Sequence, residues 1–389
     1  MPLPNPTVQR TAMVYTNTDT TLEKRDISEV IDLLDPFDTP ILNMVGRDSL
    51  RVPCTQVKHE WITDRLLPRA GTLGAAYVAG SGTLQLASGE GNYLYVDDII
   101  LVDSISFRVV SGPPDVDILT VQVIAGTDTA IANATTWRKV SHAAQEGGSA
   151  RLEDRKTVAE IPYNYTQIFK DWIVVSGTMM HIARYGYVNE RAYQEEKMLK
   201  ALALDLENTI LYGARSYTGG PPRKSTMGGL FQYLFLDGVA GGWETVVDLA
   251  GVALTETKLN NTLEEIWQRG GAPDFIMVNS ANKRRVTSWV TPHIRTTMDE
   301  TRFGASIGTF VSDFGTLDIV LNRNLRASDI IIGTASQIGL GPLVGRQFNS
   351  RLLPATLDGD WYELLGEYTM EVHRPSVDFA WLYDSSTTL

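Results

Sequence analysis

The chain has 389 residues, and its apolar fraction of 43% and charged fraction of 21% are ordinary for a globular protein, which excludes a disordered chain. The net charge of −12 argues against strong sequence-independent binding to nucleic acid, because such binding needs many phosphate contacts from a basic surface. Cys54 is the only cysteine, which excludes an intrachain disulfide and a thiolate metal cluster built within one chain.

The N-terminal region begins with a short predicted helix. No secretory signal precedes this helix and no apolar run of about eighteen residues follows it, so we expect folding in a cytoplasm without a membrane span. Apolar residues recur at the three- and four-residue spacing of one helix face. They are Ile27, Val30, Ile31 and Leu34. Pro36 and Pro40 are predicted to end the helix, because each lacks an amide donor and biases the preceding residue toward extended backbone.

Alternating residues then predict a long two-stranded excursion. Val57, His59, Trp61 and Thr63 alternate with polar residues as a strand does, and the segment "YNYTQIFKDWIVVSGT" is predicted to be the return partner. Between these strands, from about Tyr77 to Gly148, short β-type runs alternate with turn residues. This spacing predicts a small closed or sandwiched β-module, inserted at the tip of the excursion.

A long helix and an α/β region follow. The segment "NERAYQEEKMLKALALDLENTIL" keeps the helical spacing over about 24 residues, or roughly 36 Å, and Gly213 is a plausible stop. From about Trp243 to Ser350 we predict a helix with Leu259, Leu263 and Ile266, a buried strand "DFIMVN", a helix that starts at Ser280, and strands "LDIVLN" and "DIIIG". The tail alternates again, as a closing pair of strands would.

Motifs that suggest catalysis do not fit their surroundings. Gly304-Ala305-Ser306-Ile307-Gly308 matches the nucleophile elbow of esterases, but no predicted strand precedes it and no predicted helix follows it. The segments "GLGPLVG" and "GGPPRKST" miss the nucleotide-binding patterns, and the histidines lack metal-ligand spacing. The basic run Lys283-Arg284-Arg285 is typical of a solvated helix face. We therefore predict no catalytic, cofactor-binding or metal-binding residue.

The order of several segments resembles one family of tailed-bacteriophage major capsid proteins. The segments are "LEKRDISEVIDLLDPFDTPILNMVGR", "HEWITDRL", "YNYTQIFKDWIVVSGT", a long helix, "PDFIMVNSANKRRVTSW", "VSDFGTLDIVLNRNL" and "GEYTMEVHRPS". Each is weak alone, but the shared order is specific. The resemblance covers about residues 22–72 and 157–384 and leaves out the β-module.

This resemblance implies an α+β protein with the Hong Kong 97 type capsid fold and a small inserted all-β module. The implied parts are an N-arm at 1–50, extended-loop strands at 51–76 and 149–170, the inserted β-module at 77–148, a peripheral domain at 171–242 and 351–389 with its spine helix at 189–212, and an axial domain at 243–350.

The resemblance also implies where copies of the chain contact one another. The N-arm of this fold reaches over a neighbouring subunit, and a short amphipathic helix suits a partner's groove. Its expected contacts are Ile27, Val30, Ile31 and Leu34. The extended loop carries strand edges that become contacts in a lattice. Its expected contacts are His59, Trp61, Tyr163 and Tyr165.

The implied function is structural: copies assemble through pentamers and hexamers into an icosahedral shell around double-stranded DNA, without sequence-specific binding. Because the chain ahead of Leu22 is too short for a fused scaffolding domain, we expect a separate scaffolding protein, a portal protein, and a decoration protein as a further option. No cross-linking lysine and asparagine are identified, so a non-covalent shell assembled in the host bacterial cytoplasm is expected. The alternatives are a serine hydrolase that uses Ser306 and a phage tail or adhesion component.

Overall fold

The structure, a computed structural model, describes residues 38–48, 54–64, 66–112, 116–144, 146, 159–182, 190–237, 246–289, 308–354 and 358–386. The chain divides into two compact units: unit 1 comprises Met1–Trp61 and Tyr163–Leu389, and unit 2 comprises Ile62–Pro162. The predicted helix with Ile27, Val30, Ile31 and Leu34 lies outside the described residues, and so does Ser306.

The long helix predicted at 189–212 is confirmed from Glu190 to Tyr212. An ideal Cβ at Gly213 would lie 2.5 Å from the carbonyl oxygens of Thr209 and Met227, so only glycine fits where this helix ends. A π-helix covers Phe231–Leu236. The α-helices of the described residues are α1 Pro40–Asp48, α2 Gly177–His181, α3 Glu190–Tyr212, α4 Glu256–Gln268, α5 Ser280–Trp289 and α6 Pro375–Asp378.

The first of these helices was not predicted from the sequence. Pro36 and Pro40 were predicted to end the helix that contains Ile27 and Leu34, which lies outside the described residues, and a separate helix, α1, begins at Pro40. Proline suits the first position of a helix, because its fixed φ is already helical and the amide it lacks would have no partner within the helix.

The strands lie in unit 1 except for β2 to β7, which form unit 2. In chain order they are β1 Lys58–Glu60, β2 Ala70–Thr72, β3 Thr83–Gln85, β4 Asp98–Val102, β5 Ile105–Ser111, β6 Ile118–Ala125, β7 Thr136–His142, β8 Tyr163–Tyr165, β9 Gln167–Ser176, β10 Ser216–Thr218, β11 Lys224–Thr226, β12 Val246–Asp248, β13 Phe275–Val278, β14 Thr309–Ser312, β15 Gly315–Leu321, β16 Ile330–Gly333, β17 Ile338–Pro342, β18 Asn349–Leu353, β19 Gly359–Val372 and β20 Ala380–Tyr383.

One sheet of unit 1 has the strand order β12-β20-β16-β13-β15-β14. Its strands β13 and β16 are buried at every residue, as the apolar runs "DFIMVN" and "DIIIG" predicted. The helix α4 places Leu259, Leu263 and Ile266 in the core of this sheet, in agreement with the predicted spacing.

The second large sheet of unit 1 is built around β19, which pairs with β9, β17 and β18. One face of β9 contributes Phe169, Ile173 and Val175 to the core that α3 also enters through Leu202 and Leu206. The side chains of β9 alternate between this core and solvent, which is the pattern of a strand with one covered face.

Two expectations about strand pairing are corrected. The closing strands of the tail lie in different sheets, because α6 intervenes and β20 pairs with β12 and β16 instead of β19. The return partner of the His59 strand is confirmed over the three residue pairs of β1 and β8. The long strand β9 that follows pairs with β19 rather than with a long first strand.

Unit 2 is a small closed barrel, one of the two predicted architectures. Its strands follow the order β2-β7-β4-β5-β6-β3, and a bridge between Leu73 and Leu86 joins the two end strands. Phe107 and Trp137 are fully buried inside, and the Trp137 indole donates to Glu90 Oε2 at 2.7 Å. The unit spans Ile62–Pro162, so it contains β2 and Leu73 in addition to the predicted range 77–148.

This closure gives a test of the unit's boundaries. Residues 62–162 expressed alone are expected to unfold in one cooperative thermal transition followed by circular dichroism. Residues 77–148 lack β2 and Leu73, which leaves the barrel open, so they are expected to show no such transition. Equal cooperative melts of the two fragments would contradict the role assigned to the closing bridge.

Candidate assembly surfaces

A buried carboxylate joins α3 to α1. Glu207 is fully buried, and its Oε1 and Oε2 atoms accept hydrogen bonds from Ile41 N at 3.1 Å and Leu42 N at 2.8 Å. These amides lie in the first turn of α1, where backbone donors have no partner within the helix. The negative charge also faces the positive end of the helix dipole. Glu207 therefore caps a helix that begins 167 residues before it in the sequence.

The same carboxylate reaches the six-stranded sheet. Asn322, directly after β15, donates from Nδ2 to Glu207 Oε1 at 2.8 Å. Asn324 donates from Nδ2 to the carbonyl oxygen of Asp38 at 3.1 Å, which fixes the chain at the start of α1. Burial raises the pKa of Glu207, although the hydrogen bonds from Leu42, Ile41 and Asn322 oppose this rise.

The predicted contact residues His59 and Trp61 lie within the structure of unit 1. His59 Nε2 contacts Glu371 Oε1, and His373 Nε2 lies 2.9 Å from the other oxygen of this carboxylate. Trp61 is 7% exposed, and its ring centroid lies 6.1 Å from those of Tyr233 and His373. Burial acts to raise the pKa of Glu371, but hydrogen bonds from the two histidines outweigh it and hold this pKa below its ordinary value.

The predicted contact residues Tyr163 and Tyr165 lie at the partly exposed side of the same region. The Arg215 guanidinium lies 4.2 Å from the ring centroid of Tyr163. Tyr165 stacks on Tyr217, with ring centroids 4.9 Å apart. All four predicted extended-loop residues thus have partners inside their own subunit. Their contacts between subunits stay a prediction.

A row of buried glutamates on β19 was missed by the sequence reasoning. Glu363, Glu367 and Glu371 recur at every fourth residue, so they share one face of the strand. Glu363 pairs with Lys170 and Arg351, and Arg346 Nε lies 2.6 Å from Glu367 Oε2. Pairing with cations offsets the cost of removing these carboxylates from water. Their regular spacing within "WYELLGEYTMEV" is the signal that could have identified them.

An apolar group on β9 faces solvent. Ile168, Trp172 and Val174 are 50%, 54% and 54% exposed, on the strand face opposite to the core. Three large apolar side chains on one strand form a surface that association with another molecule would cover. These three residues are therefore a candidate interface of this sheet.

Among the described residues, no three His, Cys, Asp or Glu side chains are placed to hold a metal ion, and no described helix is long and apolar enough to cross a membrane.

The prediction of a solvated basic run is wrong for Arg285, which is 7% exposed and donates from Nη1 to Asn282 Oδ1 at 3.0 Å. Burial raises the pKa of the Cys54 thiol to about 11.

Comparison with known proteins places the fold. The family model described as SU10 major capsid protein matches residues 14–379. The chain is similar to the capsid structure of a native GTA particle, with a TM-score of 0.52 and 8% identity over 96% of this chain and 100% of that one. A structure from Microbacterium phage Oxtober96 has a TM-score of 0.50 and 10% identity over 96% of this chain and 99% of that one. No curated protein matches. The expected Hong Kong 97 type fold of the α+β class is confirmed.

The Glu207 cap gives a prediction about pH. Because its pKa is raised in the folded state, the stability linked to its proton is present below the ordinary pKa of 4.5 and is lost as the pH rises through the folded value. Glu207→Gln cannot ionise, so urea unfolding between pH 4 and 8 is expected to lack this loss.

Glu196→Gln is the matched control, since Glu196 lies on the exposed side of α3 and pairs with Lys200. It should keep the pH dependence of the natural chain. In addition, Glu207→Leu leaves the amides of Ile41 and Leu42 without an acceptor and is expected to cost about 3 kcal/mol. A natural chain and a Glu207→Gln variant with the same pH profile would contradict the assigned linkage.

Proposed function

This chain belongs to the SU10 major capsid protein family and is a bacteriophage major capsid protein, and from that premise we propose that its copies close through pentamers and hexamers into an icosahedral shell around double-stranded DNA. The match of the family over residues 14–379 is the observation that carries the proposal. The chain's own partly uncovered apolar face, at Ile168, Trp172 and Val174, supports association.

The proposed relation to DNA is enclosure without tight or sequence-specific binding. A net charge of −12 supports this, because an acidic wall repels phosphates and does not release counterions from DNA. The shell is proposed to be non-covalent and to form in the host bacterial cytoplasm. Its further partners are proposed to be separate scaffolding and portal proteins, with a decoration protein as an additional partner.

The proposed contacts between copies come from two regions. The N-arm residues Ile27, Val30, Ile31 and Leu34 would bury their shared apolar face against a neighbouring subunit. The extended-loop residues His59, Trp61, Tyr163 and Tyr165 would act with their strands, whose internal contacts hold them in position. Many such modest contacts, summed over a closed shell, stabilise the assembly.

The test separates assembly from hydrolysis. Ile31→Asp places a carboxylate on the apolar face of the N-arm, and burial of this charge without a partner at an interface is expected to block assembly. Ile31→Leu keeps the apolar face and is the matched control. Ser306→Ala is expected to assemble like the natural chain, because the proposed function needs no nucleophile.

Light scattering and negative-stain microscopy of the purified chains measure the outcome. Closed shells from the natural chain, Ile31→Leu and Ser306→Ala, with only unassembled subunits from Ile31→Asp, are the expected result. Full shells from Ile31→Asp would contradict the N-arm contact. Rings or fibres from the natural chain would contradict the shell, and an esterase activity lost in Ser306→Ala would contradict the purely structural role.

A further inference from the structure

A buried carboxylate lies in the closed barrel of unit 2. It belongs to Asp98, the first residue of β4, whose side chain is 0% exposed. The Lys139 Nζ atom contacts its Oδ2 atom, and His142 Nδ1 lies 3.1 Å from its Oδ1 atom. The backbone amide of Tyr95 donates to Oδ2 at 2.9 Å. An amine, a group that can transfer protons and a backbone donor thus surround one carboxylate.

A β-bulge brings the lysine and the histidine to the same carboxylate. In a regular strand, residues three apart face opposite sides of the sheet, so Lys139 and His142 would point away from each other. Here the register between β4 and β7 shifts at Ile99 and Ile100, because β7 contains one residue more than β4. Asp98 therefore pairs with His142, while Ile100 pairs with Lys139. Bulges re-aim side chains, and this one gathers both groups around Asp98.

The surroundings of this group favour its uncharged form. Ile100 and Val102, the next inward residues of β4, are fully buried, and so is Trp137 on β7. The Lys139 side chain is only 12% exposed. An ammonium and a carboxylate lose most of their hydration at such a site, and transfer of a proton from the amine to the acid removes both charges. The neutral amine that results is a nucleophile, whereas an ammonium is not.

We propose that Lys139 and Asp98 condense into an amide bond that joins their side chains within one subunit. The bond between Nζ and Cγ forms, and the bond between Cγ and Oδ1 breaks, with its electron pair leaving on the oxygen. Of the three protons of the ammonium, one stays on the amide nitrogen and two leave with Oδ1 as water. The reaction needs no oxidant and no further reactant. It joins no two copies, so it is independent of the shell proposed above.

Each contact of the carboxylate has a role in this reaction. The Tyr95 amide donates to Oδ2, which becomes the amide oxygen, and stabilises the negative charge that develops there when the amine attacks. His142 Nδ1 faces Oδ1, the atom that leaves, and is placed to protonate it. The histidine regains a proton from the attacking amine. Well-oriented reactants within one molecule reach effective concentrations of about 10⁵–10⁸ M, which favours condensation although water surrounds the protein.

The ion pair of Lys170 and Glu363 is an internal comparison. The Glu363 side chain is 1% exposed and contacts Lys170, but this lysine is 37% exposed and Arg351 contacts the other carboxylate oxygen. The hydrogen bond from Lys170, together with that from Arg351, holds the pKa of Glu363 below its ordinary value. This group therefore stays an anion, which an amine does not attack, and no amide is expected between residues 170 and 363.

Mass spectrometry of the denatured full chain tests the proposal. The natural chain is expected to be about 18 Da lighter than its sequence requires, because one water is lost. Denaturation separates ion pairs, so only a covalent bond is detected. A protease digest then locates the loss: the peptide that contains residue 98 is expected to be joined to the peptide that contains residue 139, and trypsin is expected not to cleave after Lys139.

Two matched variants isolate the reacting lysine. Lys139→Arg keeps a positive charge beside Asp98, but a guanidinium stays protonated and forms no amide, so this variant is expected at its full sequence mass. Lys170→Arg makes the same exchange in the comparison pair and is expected to keep the deficit of about 18 Da. Circular dichroism of both variants shows whether they are folded like the natural chain.

A third variant tests the proton donor. His142→Gln keeps a side chain that can hydrogen-bond to Oδ1 but cannot transfer a proton at neutral pH. In samples taken over time from cell-free synthesis, the amide is expected to form about 100-fold more slowly in this variant than in the natural chain. Equal rates of formation would overturn the role of His142.

Three results would overturn the amide. The first is a natural chain at its full sequence mass. The second is a deficit of about 18 Da that Lys139→Arg retains. The third is a loss of water confined to one peptide, since an aspartate can also lose water to its own backbone. If Lys139→Arg does not fold, the joined peptides of the natural chain decide alone.

Discussion

The carboxylate of Glu207 is the constraint on which the arrangement of unit 1 depends. It is fully buried, and burial of a charged group costs free energy unless hydrogen bonds replace its water. Donors come from the first turn of α1 and from Asn322 after β15, while the carboxylate itself belongs to α3. One side chain thus joins two helices and a sheet. Any shift of α1 or of the sheet would leave this charge unsatisfied, so the three elements are positioned together.

In the sheet around β19, buried carboxylates are again paired with side chains from other elements. Glu363, Glu367 and Glu371 lie on one face of β19, and cationic or histidine side chains from other elements approach each of them. These pairs give each of the three buried carboxylates a partner within its own subunit. Among the described residues, the edge of β9 opposite β19 has no paired strand, and Ile168, Trp172 and Val174 on this strand are exposed. A subunit with an unpaired strand edge is suited to assembly, since the missing partner can come from another copy.

Local pattern predicted the elements whose signal is contained in their own short segment. The helix α3 and the strands β13 and β16 follow from residue periodicity and apolar runs. The helix α1 was missed because Pro40 was interpreted by its effect inside a helix and not at the first position. The place of β20 and the role of Glu207 depend on partners far away in the chain, and no periodicity encodes those pairings.

The most direct test compares hydrogen exchange of free subunits and of assembled shells by mass spectrometry. It asks whether Glu207 holds α1 within one subunit and whether another copy covers β9 in the shell. The account predicts slow exchange of the Ile41 and Leu42 amides in both states, because Glu207 accepts from them within one subunit. Within residues 167–170, the amides that point away from β19 should become protected only in shells. Fast exchange of Ile41 and Leu42 in the free subunit, or equal exchange of residues 167–170 in the two states, would contradict it.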